Sequence, residues 1–346
     1  MAHVSVIAAG MVTPVGFNYE SSCAAIRAGV RGVKQVNLWD AENGEYLSGG
    51  KVDLPHWWTG IGKLADLVAP AIWECLEAAK PEPARDIPIL LGIAPPDRPH
   101  RLEGLDEEIM DEVEFRLDLP HHPLSKTIPN GNVSGVIGLR EAQNIIDQGL
   151  AKYCVVAGVD SFLQQDVVEA YMEQRRIMTA SNSNGFFPGE AGCAVLVCAS
   201  GSGLASELRV LGIGFANETG TIESDQPLRG VGMTGAVREA FSEAGITIHE
   251  TSYRITDLSG EHYKFKEAVF AEGRLMKTVL SDPYDIWHPI ELLGEIGAAN
   301  VPCALAIGKH AGTKRYGRGD RVLCHFGSDG GERAACVVEF RGDSKN

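Results

Sequence analysis

Three residues of the sequence could take part in nucleophilic or acid–base chemistry. Ser134 stands two residues after Asn132 in the polar stretch "KTIPNGNVSG" and precedes a predicted helix, so it would be a nucleophile if a base lay beside it. The alternative role for Ser134 is a hydroxyl that caps the first turn of that helix. His262 and His288 could carry protons, although a single histidine at the start of a helix is more often a surface or capping residue. We keep Ser134, His262 and His288 as fallback candidates for a catalytic site.

The eight cysteines favour packing over chemistry. Most lie in apolar runs such as "YCVVAGV" and "GCAVLVCAS", where a free cysteine behaves as a small hydrophobic residue whose thiol is inert when buried. There is no CxxC pair and no Cys/His cluster, so the sequence predicts no metal site. It also predicts no cofactor, because Gly212-Ile213-Gly214 lacks the third glycine of a dinucleotide-binding loop.

Composition and charge restrict the class of protein. The 346 residues are 44% hydrophobic and 22% charged, which is typical of a soluble globular protein. The formal net charge of -15 argues against nucleic acid as the main partner, because phosphate contacts need clustered lysine and arginine. No apolar run approaches the ~18 residues of a membrane span, and the first residues lack the pattern of a signal peptide. We therefore expect a reduced, cytoplasmic protein without a membrane span.

Strand-like and helix-like patterns alternate along the chain and predict an α/β fold. The alternation occurs on both sides of residue 203, which predicts two similar halves, 1–203 and 204–346. The clearest predicted strands and helices before this boundary are a strand over 4–9, a helix over 19–29, a helix over 64–80, a strand over 87–93, a helix over 102–119 and a strand over 153–160.

Five segments in a fixed order resemble the β-ketoacyl synthases of the thiolase superfamily. This resemblance implies a thiolase-like fold, with two similar βαβαβ halves in a five-layered αβαβα core, and usually a homodimer. The segment "MTASNSNGFFPGEAGCAVLV", similar to the family's "GF-x-x-GEGA" turn and the strand after it, is the most specific. The other four are "VIAAGMVTPVG", "GLREAQNIIDQGLAKYCVVAGVDSF", "IGAAN" and "FGSDGG".

The resemblance also implies a degenerate active site. Decarboxylative condensation in this family uses a cysteine thiolate at a helix N-terminus, two histidines and a lysine. Carried over residue by residue, the cysteine position falls on Asn132 and the first histidine position on Ser259. The second histidine position falls on Gly294, and the lysine position on Pro289. No catalytic residue of the family set is therefore expected.

Two functional hypotheses follow from this resemblance. The first is a non-catalytic, ketosynthase-like binding or scaffold protein with a protein partner. A weaker resemblance suggests the role of an accessory protein or chaperone for a bacterial type VI secretion effector. The second is an acyl-thioester transferase, or a non-condensing partner subunit of a 3-oxoacyl-ACP synthase pair, which would meet an acyl carrier protein or acyl thioester. Trp57 and Trp58 mark either a partner surface or an ordinary core or loop anchor.

Overall fold

The structure is a computed structural model that describes residues 3–201, 206–278 and 283–342. Twelve strands and nine α-helices occur in these residues. The strands are β1 (Val4–Val12), β2 (Val33–Asp40), β3 (Glu45–Gly50), β4 (Ile89–Gly92), β5 (Lys126–Ile128), β6 (Tyr153–Ser161), β7 (Glu190–Ala199), β8 (Ser206–Asn217), β9 (Tyr253–Thr256), β10 (Asp285–Trp287), β11 (Arg321–Gly327) and β12 (Glu332–Gly342). The α-helices are α1 (Tyr19–Arg27), α2 (Ile61–Ala78), α3 (Leu105–Leu117), α4 (Ser134–Asp147), α5 (Gln165–Glu173), α6 (Val231–Ala244), α7 (His262–Leu275), α8 (Ile290–Leu293) and α9 (Asn300–Thr313).

Ten strands form one sheet in the order β10-β9-β11-β12-β8-β1-β7-β6-β4-β5. The sheet consists of two five-stranded halves, which meet where Ser5 and Val6 of β1 pair with Arg209 and Leu208 of β8. The halves repeat one topology, because β1 and β8 each pair antiparallel with the last strand of their own half. The outer strands of each half run parallel. These similar halves confirm the α/β fold class that the sequence predicts.

Helices and sheet halves stack in five layers. α2 packs on β1, β6 and β7, and α3 packs beside α2, so these two helices cover the outer face of the first half. α6 packs on β8 and β12 and contacts α7, which gives the second half a matching outer layer. α4 and α9 lie between the halves and share one hydrophobic core with the strands of both. The predicted five-layered αβαβα core is confirmed.

Each central helix begins after a glycine-led 3-10 turn. The turn Gly131–Val133 precedes α4, and the turn Gly297–Ala299 precedes α9. Gly131 has φ +55° and Gly297 has φ +49°, a left-handed conformation that glycine adopts without steric cost. A Cβ on Gly297 would also lie 1.9 Å from Oδ2 of Asp160. These turns fix where the two central helices start, and the candidate site lies between them.

Two predictions about organisation have different outcomes. The predicted boundary between residues 203 and 204 falls outside the described residues, so the division into 1–203 and 204–346 stays a prediction. Among the helices that the structure describes, none has both the length and the hydropathy needed to cross a bilayer.

Candidate functional site

Asn132 lies where an edge strand, a turn and a central helix meet. β5 ends at Ile128, the turn Gly131–Val133 follows, and α4 begins at Ser134. The Asn132 side chain is buried. A helix N-terminus favours negative charge and would activate a cysteine thiol at this place. An amide gains no nucleophilic character from the same position.

Two buried carboxylates hold the Asn132 amide. Its Nδ2 donates to Oδ2 of Asp257 at 2.9 Å and to Oε1 of Glu295 at 3.4 Å. Oε1 of Glu295 also accepts the backbone N–H of Gly297 at 2.9 Å and Nδ2 of Asn300 at 2.8 Å. The turn and the helix start that follow Glu295 thus fix its carboxylate. Hydrogen-bond acceptors therefore converge on Asn132, the residue that the sequence resemblance assigns to the cysteine position.

One lysine balances these two carboxylates. Nζ of Lys264, on α7, lies 3.3 Å from Oε2 of Glu295 and 3.6 Å from Oδ2 of Asp257. Burial disfavours the charge on Lys264, whose side chain is 12% exposed. The attraction of Glu295 and then of Asp257 outweighs this effect and raises the pKa of the ammonium group. Lys264 therefore stays protonated and paired, and it does not provide a general base.

Two buried arginines extend these contacts. Arg176 pairs with Oε1 of Glu261 at 2.8 Å and with Oδ2 of Asp329 at 2.8 Å. Arg98 makes a bidentate pair with Asp160, at 3.1 and 2.9 Å. We call these residues together the polar cluster: Asn132, Asp257, Glu295, Lys264, Arg176, Glu261, Asp329, Arg98 and Asp160. The cluster holds five carboxylates against three cations, so its field is unfavourable to an anion.

A cavity of about 190 Å³ opens beside Asn132. Lys264 and Glu295 line one part of it, whereas Phe162 and Phe186 provide apolar surface. Most of the polar cluster lines this cavity, so a ligand entering it would meet the paired charges of the cluster and also the carboxylates of Asp97 and Glu223.

The residues at the other three positions that the resemblance implies do not line the cavity beside Asn132. Ser259 donates through Oγ to Oε2 of Glu261 at 3.3 Å. Gly294 follows α8 with φ +78°, and a Cβ there would lie 2.9 Å from Cα of Gly189. Pro289 immediately precedes α8. The side chains that contact Asn132 are instead those of Asp257, two residues before Ser259, and Glu295, the residue after Gly294.

The Ser134 hydroxyl is engaged in the turn before α4. Its Oγ donates to the carbonyl of Ile128 at 2.8 Å and accepts the backbone N–H of Asn130 at 3.1 Å. The residue is fully buried. Both hydrogen bonds tie Ser134 to the chain that leads into the helix, and neither is a helix cap, because a cap would accept an N–H of the first turn of α4.

The two fallback histidines lie away from the cavity beside Asn132. His262 is exposed at the first position of α7, where its backbone N–H donates to Oδ1 of Asn184 at 2.8 Å. Nδ1 of His288 lies 3.6 Å from Oε2 of Glu291. Neither histidine lines the cavity.

The cysteines and the Gly-Ile-Gly segment have packing roles. All eight thiols are free and buried, and burial raises the pKa of Cys154 to about 12. In the described ranges, no group of three or more His, Cys, Asp or Glu side chains could hold a metal ion. Gly212 lies in β8, and a Cβ on it would lie 2.2 Å from the carbonyl oxygen of Ala240 in α6. Glycine at this position allows the sheet and the helix to approach closely.

Sequence reasoning missed the residues that make the site. Asp257 and Glu295 lie inside the segments "DLSGEH" and "LGEIGAAN", which the resemblance already selects. The proximity of these two carboxylates to the expected histidine positions could have indicated that they belong to the site. Lys264 gave no such signal, because a lysine near a helix start usually faces solvent.

A buried histidine beside the cluster should make stability depend on pH. His325 is 3% exposed, and burial followed by repulsion from Arg254 lowers its pKa to about 3. In the unfolded chain the same histidine has a pKa near 6.5. As pH falls from 6.5 towards 3, the unfolded chain gains a proton that folded His325 does not bind, so the free energy of unfolding decreases. Between pH 6.5 and 5 we expect His325 to account for a loss of about 2 kcal/mol in the free energy of unfolding.

This loss is measured by urea unfolding of His325→Gln and wild type at both pH values. The matched control is His262→Gln, which changes an exposed histidine and should leave the free energy of unfolding nearly unchanged. Equal slopes for wild type and His325→Gln would contradict the expectation.

No protein-family model and no curated protein matches the sequence. The fold is nevertheless similar to solved ketosynthase structures over nearly the whole chain. The ishigamide ketosynthase/chain length factor has a TM-score of 0.73 at 20% identity, covering 98% of this chain and 100% of that one. A ketosynthase in complex with its chain length factor from Xenorhabdus doucetiae has a TM-score of 0.73 at 15% identity, covering 98% of each. A type II polyketide synthase acyl-carrier protein in complex with its ketosynthase gives 0.78 at 15% identity, covering 98% and 99%. The chain therefore has the thiolase-like fold of the ketosynthases.

Proposed function

We propose that this chain is a non-condensing, ketosynthase-like subunit that works together with a protein partner. The observation that carries the proposal is that Asp257 and Glu295 hold the amide of Asn132, the residue that the family resemblance assigns to the position of the nucleophile. The proposal is supported by the nature of the similar structures, two of which are ketosynthases with a chain length factor. It favours the partner subunit over the acyl-thioester transferase.

The chemistry of condensation explains why these contacts matter. Loss of carbon dioxide from a malonyl thioester leaves negative charge on the thioester oxygen, which needs hydrogen-bond donors or positive charge close by. Near Asn132, the side chains of Asp257 and Glu295 present negative charge instead, and Lys264 is already paired with both. A developing enolate would be repelled. The chain is therefore suited to binding a protein partner rather than to forming a carbon–carbon bond.

Acylation assays test the absence of a nucleophile. We expect no covalent adduct when the wild-type protein is incubated with acetyl or malonyl coenzyme A and weighed intact by mass spectrometry. Asn132→Cys should also acylate slowly, because Asp257 and Glu295 would raise the pKa of the new thiol. Replacing both carboxylates by their amides in the same variant should raise the acylation rate at least tenfold.

The result that contradicts this prediction is equally specific. A stable acyl adduct on Ser134 or on a native cysteine of the wild type would favour the acyl-thioester transferase. Release of carbon dioxide from malonyl coenzyme A by the wild type would do the same.

The partner is tested by co-expression with the ketosynthase encoded nearest to this gene. Native mass spectrometry should show one copy of each chain in a complex. A homodimer that excludes the ketosynthase would contradict the proposal. The homodimer that the family resemblance implies is thus the competing outcome of this experiment, and contact with an acyl carrier protein remains a prediction.

The role in type VI effector loading also stays a prediction. It shares the non-catalytic site with the proposal but requires a different partner, and neighbouring secretion genes would favour it. Neighbouring fatty-acid or polyketide genes would favour the ketosynthase pair.

A further inference from the structure

An open, largely apolar groove lies on the outer layer of the first half. We call it the α2 groove, and its apolar lining includes Phe17, Leu54, Pro55, Pro70 and Trp73. Its volume is about 800 Å³, and it shares no lining residue with the cavity beside Asn132. The groove is therefore a second feature of the molecule, independent of the polar cluster.

Large aromatic side chains are exposed in and around this groove. Phe17 is 56% exposed and Trp73 is 48% exposed. The loop that supplies Pro55 also carries Trp57, 90% exposed, and Trp58, whose ring stacks on His56 at 4.1 Å. Contiguous exposed apolar surface of this kind marks an interaction site more often than a monomer surface, and tryptophan is enriched among residues that dominate binding energy. Trp58 also donates through its indole N–H to Oδ2 of Asp66, as a loop anchor does, so the role of Trp57 and Trp58 in a partner surface stays a prediction.

The pattern of α2 shows that these side chains are not part of the core. The buried stripe of the helix includes Leu64, Leu67 and Ile72, which pack on the sheet. Pro70 and Trp73 lie on the opposite, exposed side, three residues apart and so on one face of the helix. Folding of the first half gains little from them, whereas a bound helix would bury them.

The charge around the groove selects the partner. Asp66, Glu74 and Asp118 line it together with a single cation, Arg116. The Arg116 guanidinium is already shared between Asp66 and Glu112. Asp66 is thus paired, and Glu74 accepts the backbone N–H groups of Met11 and Tyr19. The net negative charge of the rim is therefore carried mainly by the exposed Asp118. Anionic lipid headgroups and fatty-acid carboxylates would be repelled, and a two-fold contact with a second copy would bring two acidic rims together.

We propose that the α2 groove docks an amphipathic helix of a partner protein, whose apolar face is flanked by lysine or arginine. Such a helix places anchors at i, i+3 or i+4, and i+7 into an apolar groove, and its cations complement the acidic rim. This inference does not rest on the proposed function, because it concerns a different face of the molecule.

The test uses three fluorescein-labelled 18-residue peptides and the full-length protein. The first has leucines at i, i+3, i+4 and i+7 with lysines elsewhere, the second has glutamates in place of the lysines, and the third is a scrambled form of the first. Fluorescence anisotropy should show that the first peptide binds at least tenfold more tightly than either of the others. Equal binding of the scrambled peptide would overturn the proposal, because charge alone would then explain it.

Variants locate the binding to the groove. Trp73→Ala should weaken binding of the leucine–lysine peptide at least tenfold, whereas Trp39→Ala, which removes a tryptophan with a similar exposure of 44%, should not. Asp118→Asn should weaken binding about two- to threefold and reduce its salt dependence. Unchanged binding by Trp73→Ala would overturn the proposal.

Two other occupants are outcomes of the same set of experiments. If native mass spectrometry shows a homodimer that Trp73→Glu separates, the groove is an interface between copies and the proposal fails. If vesicles of phosphatidylglycerol bind the wild type but not Trp73→Ala, the groove meets a membrane and the proposal also fails. Neither result bears on Asn132 or on acylation.

Discussion

Replacing Lys264 with methionine is expected to lower the free energy of unfolding by about 3–5 kcal/mol. The Lys264 ammonium lies within 3.3 Å of Glu295 and 3.6 Å of Asp257, both of which are buried. Methionine keeps the volume of the side chain but leaves two buried carboxylates without their cation. The loss is measured by guanidinium chloride unfolding at neutral pH.

A double variant and a surface control make this prediction specific. Glu295→Gln retains an oxygen for its backbone and Asn300 donors, so combining it with Lys264→Met should recover about 1–2 kcal/mol. Lys126→Met removes the exposed ion pair with Glu141 and should cost less than about 1 kcal/mol. If Lys264→Met and Lys126→Met lowered the free energy of unfolding equally, Lys264 would not be needed to stabilise the buried carboxylates, and the prediction would be wrong.

Adding one methyl group at Gly158 is expected to cost about 3 kcal/mol or more. Gly158 lies in β6, and a Cβ there would be 2.0 Å from the carbonyl oxygen of Ala298. The atom in the way belongs to the backbone of the turn before α9, so it has no rotamer that could move aside. Gly158→Ala should therefore unfold at a lower denaturant concentration than wild type.

Gly273→Ala is the matched control for this substitution. Gly273 lies inside α7, and a Cβ there would meet nothing within 4 Å. Alanine has the higher helix propensity, so this variant should gain up to about 1 kcal/mol. A loss at Gly273 as large as that at Gly158 would contradict the steric explanation.

The sequence predicted amphipathic helices and short, largely apolar strands well. The predicted helix over 64–80 corresponds to Ile61–Ala78, and the predicted strand over 153–160 corresponds to Tyr153–Ser161. α9 was not anticipated, because its residues from Asn300 to Ala311 are buried on every side and give no amphipathic pattern. The β2–β3 hairpin was also missed.

The candidate site could be located from the sequence but not assembled. The motifs placed Asn132 at the start of a central helix, where the structure has it. They did not show which neighbouring residues would face it, since Gly294 occupies a left-handed, crowded position and Glu295 supplies the side chain. Which residue faces Asn132 therefore depends on the close approach of Gly189 to Gly294, and Gly189 lies more than a hundred residues earlier in the chain.

The central place of β1 in the sheet bears on how the chain is made. Val4 pairs with Ala199 of β7, and Ser5 pairs with Arg209 of β8, so both neighbours of this strand are synthesised about 200 residues later. At ordinary rates of translation this delay is on the order of ten seconds or more. During that time an apolar strand waits without hydrogen-bond partners, a situation in which nascent chains aggregate or engage chaperones. β1 is the first strand of the sheet to leave the ribosome, and pairing on both its edges must await β8.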